Sequence, residues 1–410
     1  MQPSSQTPTA VPAPQPGSTG TTTSPEIPFG VNEVRLDARQ WLIAFGLLAL
    51  IVALTPTIWE RLERFDTGAD YRIPYPLSND YWLYGRRLRQ VTDARQVVLL
   101  GDSVVWGEYV APDGTLSHFL NQETGGGSRF INGGVNGLFP LAEQGLFHYY
   151  GGALRNRQVI LQCNVLWQTS PKVDLSAAKE DQFNHSRLVP QFFPQIPCYR
   201  AEASERLSAL AQRQIGFLAW VVHLQQAYFG QKSILGWTLE DDGGTPAHYP
   251  RSWKNPLAQI TLAVPSAPRD DPQRGPASPR HKPWSEDHTP TRFEWVDLDA
   301  SLQWQAFRLV VEDLRARGND VLVVLGPFNE HMLVEDNRPA YRKVRDGIVA
   351  WLEQNRVPHL APDTLPSALY ADASHPLTQG YALLAQRLCA DPGFKAWLEK
   401  GKDPQLDRSK

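Results

Sequence analysis

Cysteine is nearly missing from this sequence: three residues in 410, Cys163, Cys198 and Cys389. They are too few and too scattered to build a disulfide framework, and none has the close spacing of a zinc site, so they read as ordinary buried or half-buried thiols. An excess of either charge is missing too. Forty lysines and arginines against 43 aspartates and glutamates leave a net charge of -3, without the basic patch that nucleic-acid binding calls for. Nucleic acid is therefore not an expected partner. Large apolar residues are almost absent from Met1 to Pro28, a run of Pro, Thr, Ser, Gln and Gly. Such a segment cannot bury enough surface to offset the entropy of ordering, and residues 1–39 read as a disordered tail.

Charge then disappears altogether for nineteen positions, Trp41 to Trp59. At about 1.5 Å per residue, a helix of this length nearly crosses a hydrocarbon core of about 30 Å, and a tryptophan stands at each end, as interface residues do. Residues 40–59 are predicted to form one transmembrane helix rather than a buried helix of a soluble core. The run begins too late for a cleavable signal peptide, and no small-residue cleavage site comes after it. Arg35 and Arg39 before the span against Arg61, Arg64 and Arg72 after it lean, by one charge, toward a cytoplasmic position for the rest of the chain. Large domains cross membranes regardless of so small a bias, and the chemistry of the candidate site points to the outer side. Residues 60–95, rich in Tyr, Arg and Pro, read as a juxtamembrane linker.

The chain beyond position 95 is long enough, with 42% hydrophobic residues overall, for one large domain or two smaller ones. Gln96 to Leu100 is a continuous apolar run ending at Gly101, the pattern of a strand buried on both faces of a parallel sheet. A helix is predicted after Pro112, a short strand at Arg129 to Asn132, a helix from about Leu141 and a strand at Val159 to Cys163. The alternation resumes with a helix from Ala300 to Arg317 closed by Gly318, a strand from Val321 to Leu325, a helix from Pro339 to Gln354 and a last one from Pro376 to Leu388. This order predicts an α/β fold with a doubly wound parallel sheet over residues 96–400, interrupted by an insertion at about 168–297.

Ser103, just past the first strand, and Asp372 with His375, in the loop before the last helix, together supply a set for nucleophilic catalysis. A serine hydroxyl needs an imidazole to accept its proton and an acid to hold that imidazole in the right tautomer. The three-residue spacing puts Asp372 and His375 on one tight turn, and ligands of such sheets bind beyond the carboxyl ends of the strands. An isolated Asp-x-x-His also fits a helix cap or a surface turn.

Gly101-Asp102-Ser103 resembles block I of the SGNH (GDSL-type) hydrolase superfamily, and Asn132-Gly133-Gly134-Val135-Asn136-Gly137 is similar to block II. Asn164 falls where block III places its asparagine, and Asp372-x-x-His375-Pro376 is similar to block V. The four blocks occur in family order over roughly residues 96–165 and 319–390. Block III usually reads Gly-x-Asn-Asp; here Gln162-Cys163-Asn164-Val165 lacks the acid and carries Gln162 in place of a small residue. The resemblance implies a three-layer α/β/α fold, Ser103 as nucleophile, His375 as general base and acid, and Asp372 as its partner. It also implies an oxyanion hole from the backbone N–H groups of Ser103 and Gly137 and the amide of Asn164. Taken alone, the glycines up to Gly137 equally fit a plain turn that needs positive φ. No metal and no cofactor is implied. His281 and His288 lie in a Pro-rich stretch without a partner set, and Glu330 with His331 reads as part of a loop.

Within the insertion, the helical stretch Ala203 to Phe229 is more apolar than a solvent-facing helix should be. It reads as a cap helix packed on the sheet domain, or more sharply as a face against membrane or a membrane-bound partner. Pro246 to Pro290 reads as a flexible loop with Trp253 and Trp284 as anchors. One membrane span leading into such a domain resembles cell-envelope proteins that work beside membrane-bound O-acyltransferases. That resemblance implies a serine-dependent O-acyltransferase or acyl esterase acting outside the cytoplasm on a surface polysaccharide. An acylated glycan or acyl donor would be its substrate, and a membrane-bound O-acyltransferase a candidate partner. A lipase-like hydrolase of lipid or small esters and a non-catalytic envelope interaction protein are the alternatives.

Overall fold

The computed structural model describes residues 36–68, 70–93, 95–179, 183–240, 254–266, 281–286 and 289–401. The elements begin with α1 (Ala38–Leu62), α2 (Tyr81–Arg89), β1 (Val97–Gly101), α3 (Ser103–Trp106), α4 (Leu116–Glu123), β2 (Phe130–Gly134), α5 (Pro140–Tyr150) and β3 (Gln158–Cys163). The insertion adds α6 (Ala203–Gln214), α7 (Gly216–Tyr228), α8 (Ile234–Thr238) and α9 (Pro256–Gln259). The chain closes with α10 (Leu302–Ala316), β4 (Asp320–Leu325), α11 (Arg338–Gln354), β5 (His359–Leu360), α12 (Thr378–Ala390) and α13 (Pro392–Lys400).

The strands form one all-parallel sheet in the order β2-β1-β3-β4-β5, with Gly101 opposite Gly134 and Leu100 opposite both Gly133 and Leu161. The alternation of side chains along β1 feeds two cores. Val98 and Leu100 join the cluster built by α2, α5, α10 and α11, whereas Val97 and Leu99 join the one built by α4, α12 and α13. Helices therefore cover both faces, which is why β1 is apolar at every position. The strand order reverses between β1 and β3, and the crevice at the carboxyl ends there is where such sheets hold ligands.

The chain divides into two units, 1–51 and 52–410. The described part of the first is the beginning of α1, where Trp41, Leu42, Ile43, Phe45, Leu47, Leu48, Leu50 and Ile51 are all exposed. Alpha-helix α1 as a whole is long and apolar enough to cross a membrane. The expected tail lies outside the described residues up to position 35, as do Trp253, His288 and most of the stretch from Pro246 to Pro290.

Residues 60–95 differ from the linker read in the sequence. They carry α2, whose Leu83, Tyr84 and Leu88 are fully buried in the core, and Asp80 caps that helix by accepting from Leu83 N–H at 2.9 Å. Arginines spaced through α2 hid its amphipathic pattern, because Arg86 is itself buried in an ionic cluster. There Arg86 pairs with Glu63, to which Tyr228 also donates, and His223 donates from Nδ1 to Asp80 at 2.6 Å and from Nε2 to Glu63 at 3.0 Å. Carboxylates only accept, so both ring nitrogens carry a proton and His223 is an imidazolium. Burial alone would lower its pKa, but Asp80 and Glu63 outweigh that and raise it to about 9.

The apolar stretch Ala203 to Phe229 is two helices, α6 and α7, broken at Ile215. Alpha-helix α7 packs on α2 with His223, Leu224 and Tyr228 buried, and Trp59 at the end of α1 meets Trp220 edge-on at 5.5 Å. Trp284 donates its backbone N–H to the carbonyl of Tyr370 at 2.7 Å and packs against the second core cluster.

Candidate active site

The first strand delivers its serine through a sharp turn. Gly101 ends β1 where an added Cβ would stand 2.6 Å from Val105 and 2.9 Å from Gln162, so only glycine permits the approach. Asp102 then caps α3, accepting from Val104 N–H at 2.8 Å, and Ser103 becomes the first residue of that helix. Arg72 holds the far end of the turn, donating to the carbonyls of Trp106, Gly107 and Val110 and lying over the Trp106 ring at 4.0 Å.

Across 272 residues of chain, Ser103 Oγ and His375 Nε2 are 2.7 Å apart, and His375 Nδ1 is 2.8 Å from both oxygens of Asp372. Asp372 in turn accepts the backbone N–H groups of Ser374 and His375 at 2.9 and 3.0 Å, which fixes the turn predicted from their spacing. Ser103 and His375 are buried. Burial pushes Asp372 up, but its bonds from His375 and the two backbone donors outweigh this and keep it below the usual carboxylate range. Burial pulls His375 down, and Asp372, Asp102 and Glu108 together raise it above its ordinary value.

Gly137 and Asn164 come after β2 and β3, on either side of the serine strand. Gly137 has φ +70°, and a Cβ there would meet the Asn184 amide at 2.5 Å, so the position needs glycine for space as well as for conformation. The Asn164 amide donates to Asp102 Oδ2 at 2.7 Å, a bond with no signature in the sequence. Trp167 donates to the same oxygen at 3.1 Å. Burial raises the pKa of Asp102 against these donors. An amide carries two N–H groups, so one remains on Asn164. Asn132 is structural, donating to Val105 O at 2.8 Å and accepting from Gly134 N–H at 3.0 Å.

Three residues at the site carry no signal in the sequence. Glu108 Oε2 stands 3.8 Å from His375 Nε2 and accepts from Asn136 Nδ2 at 3.0 Å. Tyr109, at φ +66°, meets His375 edge-on at 5.4 Å, and the His281 ring lies tilted against it at 4.2 Å. His185, in the insertion, lies with Nε2 2.8 Å from the carbonyl of Asn136 and Nδ1 3.0 Å from Tyr81 Oη. A carbonyl only accepts, so Nε2 carries the proton and Nδ1 accepts from Tyr81. Burial lowers the pKa of His185 to about 4, which keeps it neutral in that tautomer. The carbonyl it binds belongs to the same peptide plane as Gly137 N–H, and in a trans peptide the two point in opposite directions. His185 thereby sets where Gly137 N–H points. His331 donates from Nε2 to Leu365 O at 3.1 Å, as part of a loop.

No protein-family model matches the chain, and no curated protein gives a significant match to it.

Proposed function

We propose that the chain is a membrane-anchored, serine-dependent O-acyltransferase or acyl esterase of the SGNH type, acting outside the cytoplasm on a cell-surface polysaccharide. The observation that carries this reading is the row Ser103 Oγ, His375 and Asp372, linked at 2.7 and 2.8 Å at the carboxyl end of the sheet. In the first step Ser103 Oγ bonds to the acyl carbon while its proton passes to His375 Nε2. Asp372 stabilises the imidazolium that results. Negative charge collects on the former carbonyl oxygen, where Ser103 N–H, Gly137 N–H and the second N–H of Asn164 are the donors. Losing one such donor costs on the order of 3 kcal/mol of transition-state stabilisation. The donor's C–O bond then breaks and its leaving oxygen takes the proton from His375. Water or a sugar hydroxyl next gives its proton to His375 and bonds to the acyl carbon; the C–O bond to Ser103 breaks and Oγ takes the proton back from His375.

Fluorophosphonate labelling of the full-length protein at neutral pH tests the nucleophile, with Ser103→Ala as control. Labelling that Ser103→Ala abolishes is the expected result, and an unlabelled wild type would favour a non-catalytic scaffold. Intact-mass detection of an acyl adduct on Ser103 after exposure to acyl donors would identify the transferred group.

A further inference from the structure

We infer that the cleft beside the Asn136–Gly137 peptide is the glycan subsite, holding a saccharide chain so that its hydroxyl or ester group reaches Ser103. This rests on the acyl-transfer reading of Ser103 and adds where the sugar lies and what recognises it. The cleft has a volume of about 490 Å³, inside the range of about 300–1,000 Å³ usual for small-molecule sites. Tyr75 and Asn79 come to it from the segment before α2, Asn184, Gln226 and Gln231 from the insertion, and Asn136 from the active site itself. Through Asn136 the cleft reaches Glu108 and so the ring of His375. Asn184 touches the space in front of Gly137, so cleft and oxyanion peptide share a wall.

The chemistry of the lining selects the ligand. Asn and Gln side chains each offer a carbonyl acceptor and two N–H donors, which matches hydroxyls that both donate and accept. The Asn184 side chain has no hydrogen-bond partner among the described residues, and Gln226 Oε1 is buried without one. These two amides are not committed to the protein's own bonding. Tyr75, 43% exposed, adds an aromatic surface for the apolar side of a sugar ring. An acyl chain laid along the same lining would strip water from these amides and return no hydrogen bond. Among the described residues no aspartate or glutamate lines the cleft, and Arg187 is its one charged side chain, so neutral and acidic sugars both fit.

The test is calorimetric titration of the full-length Ser103→Ala protein in detergent with two probes, an N-acetylglucosamine hexamer and a polyuronate hexamer. Saturable binding of at least one is expected, weakened about tenfold or more in the same protein carrying Asn184→Ala and Gln226→Ala, since each lost hydrogen bond is a several-fold change. Should that pair lower the melting temperature, Asn184→Ala alone, at an exposed position, gives the same reading. Binding of neither probe, or binding unaffected by the substitutions, would overturn the inference. Fluorophosphonate labelling needs no sugar, so a wild type that labels but binds neither probe fails on the cleft alone. One that binds but does not label fails on the acyl-transfer reading alone.

Discussion

Replacing Glu108 with glutamine removes one negative charge 3.8 Å from His375 Nε2 while keeping a carbonyl that can still accept from Asn136. At that separation a unit charge acts on the imidazolium with about 1 kcal/mol in bulk water and about 4 kcal/mol at an effective dielectric of 20. One pH unit is about 1.4 kcal/mol, so the histidine should fall by between about 0.8 and 3 units. The Glu108 side chain is 16% exposed and that of His375 9%, so water screens the pair little and the effect lies away from the bulk-water end of that range. The sign follows from the groups around the ring: burial lowers the His375 pKa, and Asp372, Asp102 and Glu108 raise it above its ordinary value. With His375 as the proposed base, the serine would react only when the imidazole is neutral, so reactivity should fail as pH drops through that pKa. In Glu108→Gln the acid limb should therefore move to lower pH. The assay is the second-order rate of fluorophosphonate labelling of the full-length protein between about pH 4 and 9, with the histidine ring followed by NMR in parallel. An acid limb that stays in place or moves upward would refute the electrostatic argument. A rate that is flat down to about pH 4 in the wild type would remove His375 as the base.

His185→Phe should lower the labelling rate about ten- to a hundredfold by freeing the Asn136–Gly137 peptide, and His185→Gln, whose amide can donate to the same carbonyl, should restore much of it. Equal loss in both variants, measured at matched melting temperatures, would reduce His185 to a packing role. His223→Leu should destabilise the folded protein by about 3–5 kcal/mol in chemical denaturation, because Glu63, Asp80 and Arg86 stay buried with their charge balance broken. The His223 pKa is raised to about 9, so its stabilisation is fully present below its unfolded value near 6.5 and is lost as pH climbs through 9. A wild-type stability that stays level across that window, or falls equally in His223→Leu, would contradict the assignment.

The parts of this molecule that could be read from the sequence are those whose cause lies within a few residues. Beta-strand β1 is apolar at every position because two layers bury it, and the Asp372–His375 spacing closes its turn through backbone N–H groups of the same segment. The pairing of Ser103 with His375 is not local, yet both lie at the carboxyl ends of one parallel sheet, and a doubly wound topology carries them to the same edge. Residues whose meaning depends on a partner with no fixed offset escaped. Arg86 and Arg87 look like surface charge until Glu63 and Thr67 are found beside them, and α2 was hidden for that reason. Asn164 is placed by its strand, but its bond to Asp102 is visible only once β1 and β3 are neighbours. His185 is the extreme case: a lone histidine in an insertion, without periodicity or motif, acquires a role because a carbonyl 49 residues away accepts a hydrogen bond from its Nε2–H. The same insertion that a minimal sheet domain does not need thus supplies both the group that aims Gly137 N–H and the amides of the adjoining cleft. On the proposed reading, neighbouring residues of one loop, Asn184 and His185, would serve substrate recognition and the alignment of the oxyanion donor, so a change that weakens the first should be felt in the second. That coupling predicts that Asn184→Ala, although it touches neither Ser103 nor His375, will slow acylation by a saccharide ester more than labelling by a small fluorophosphonate.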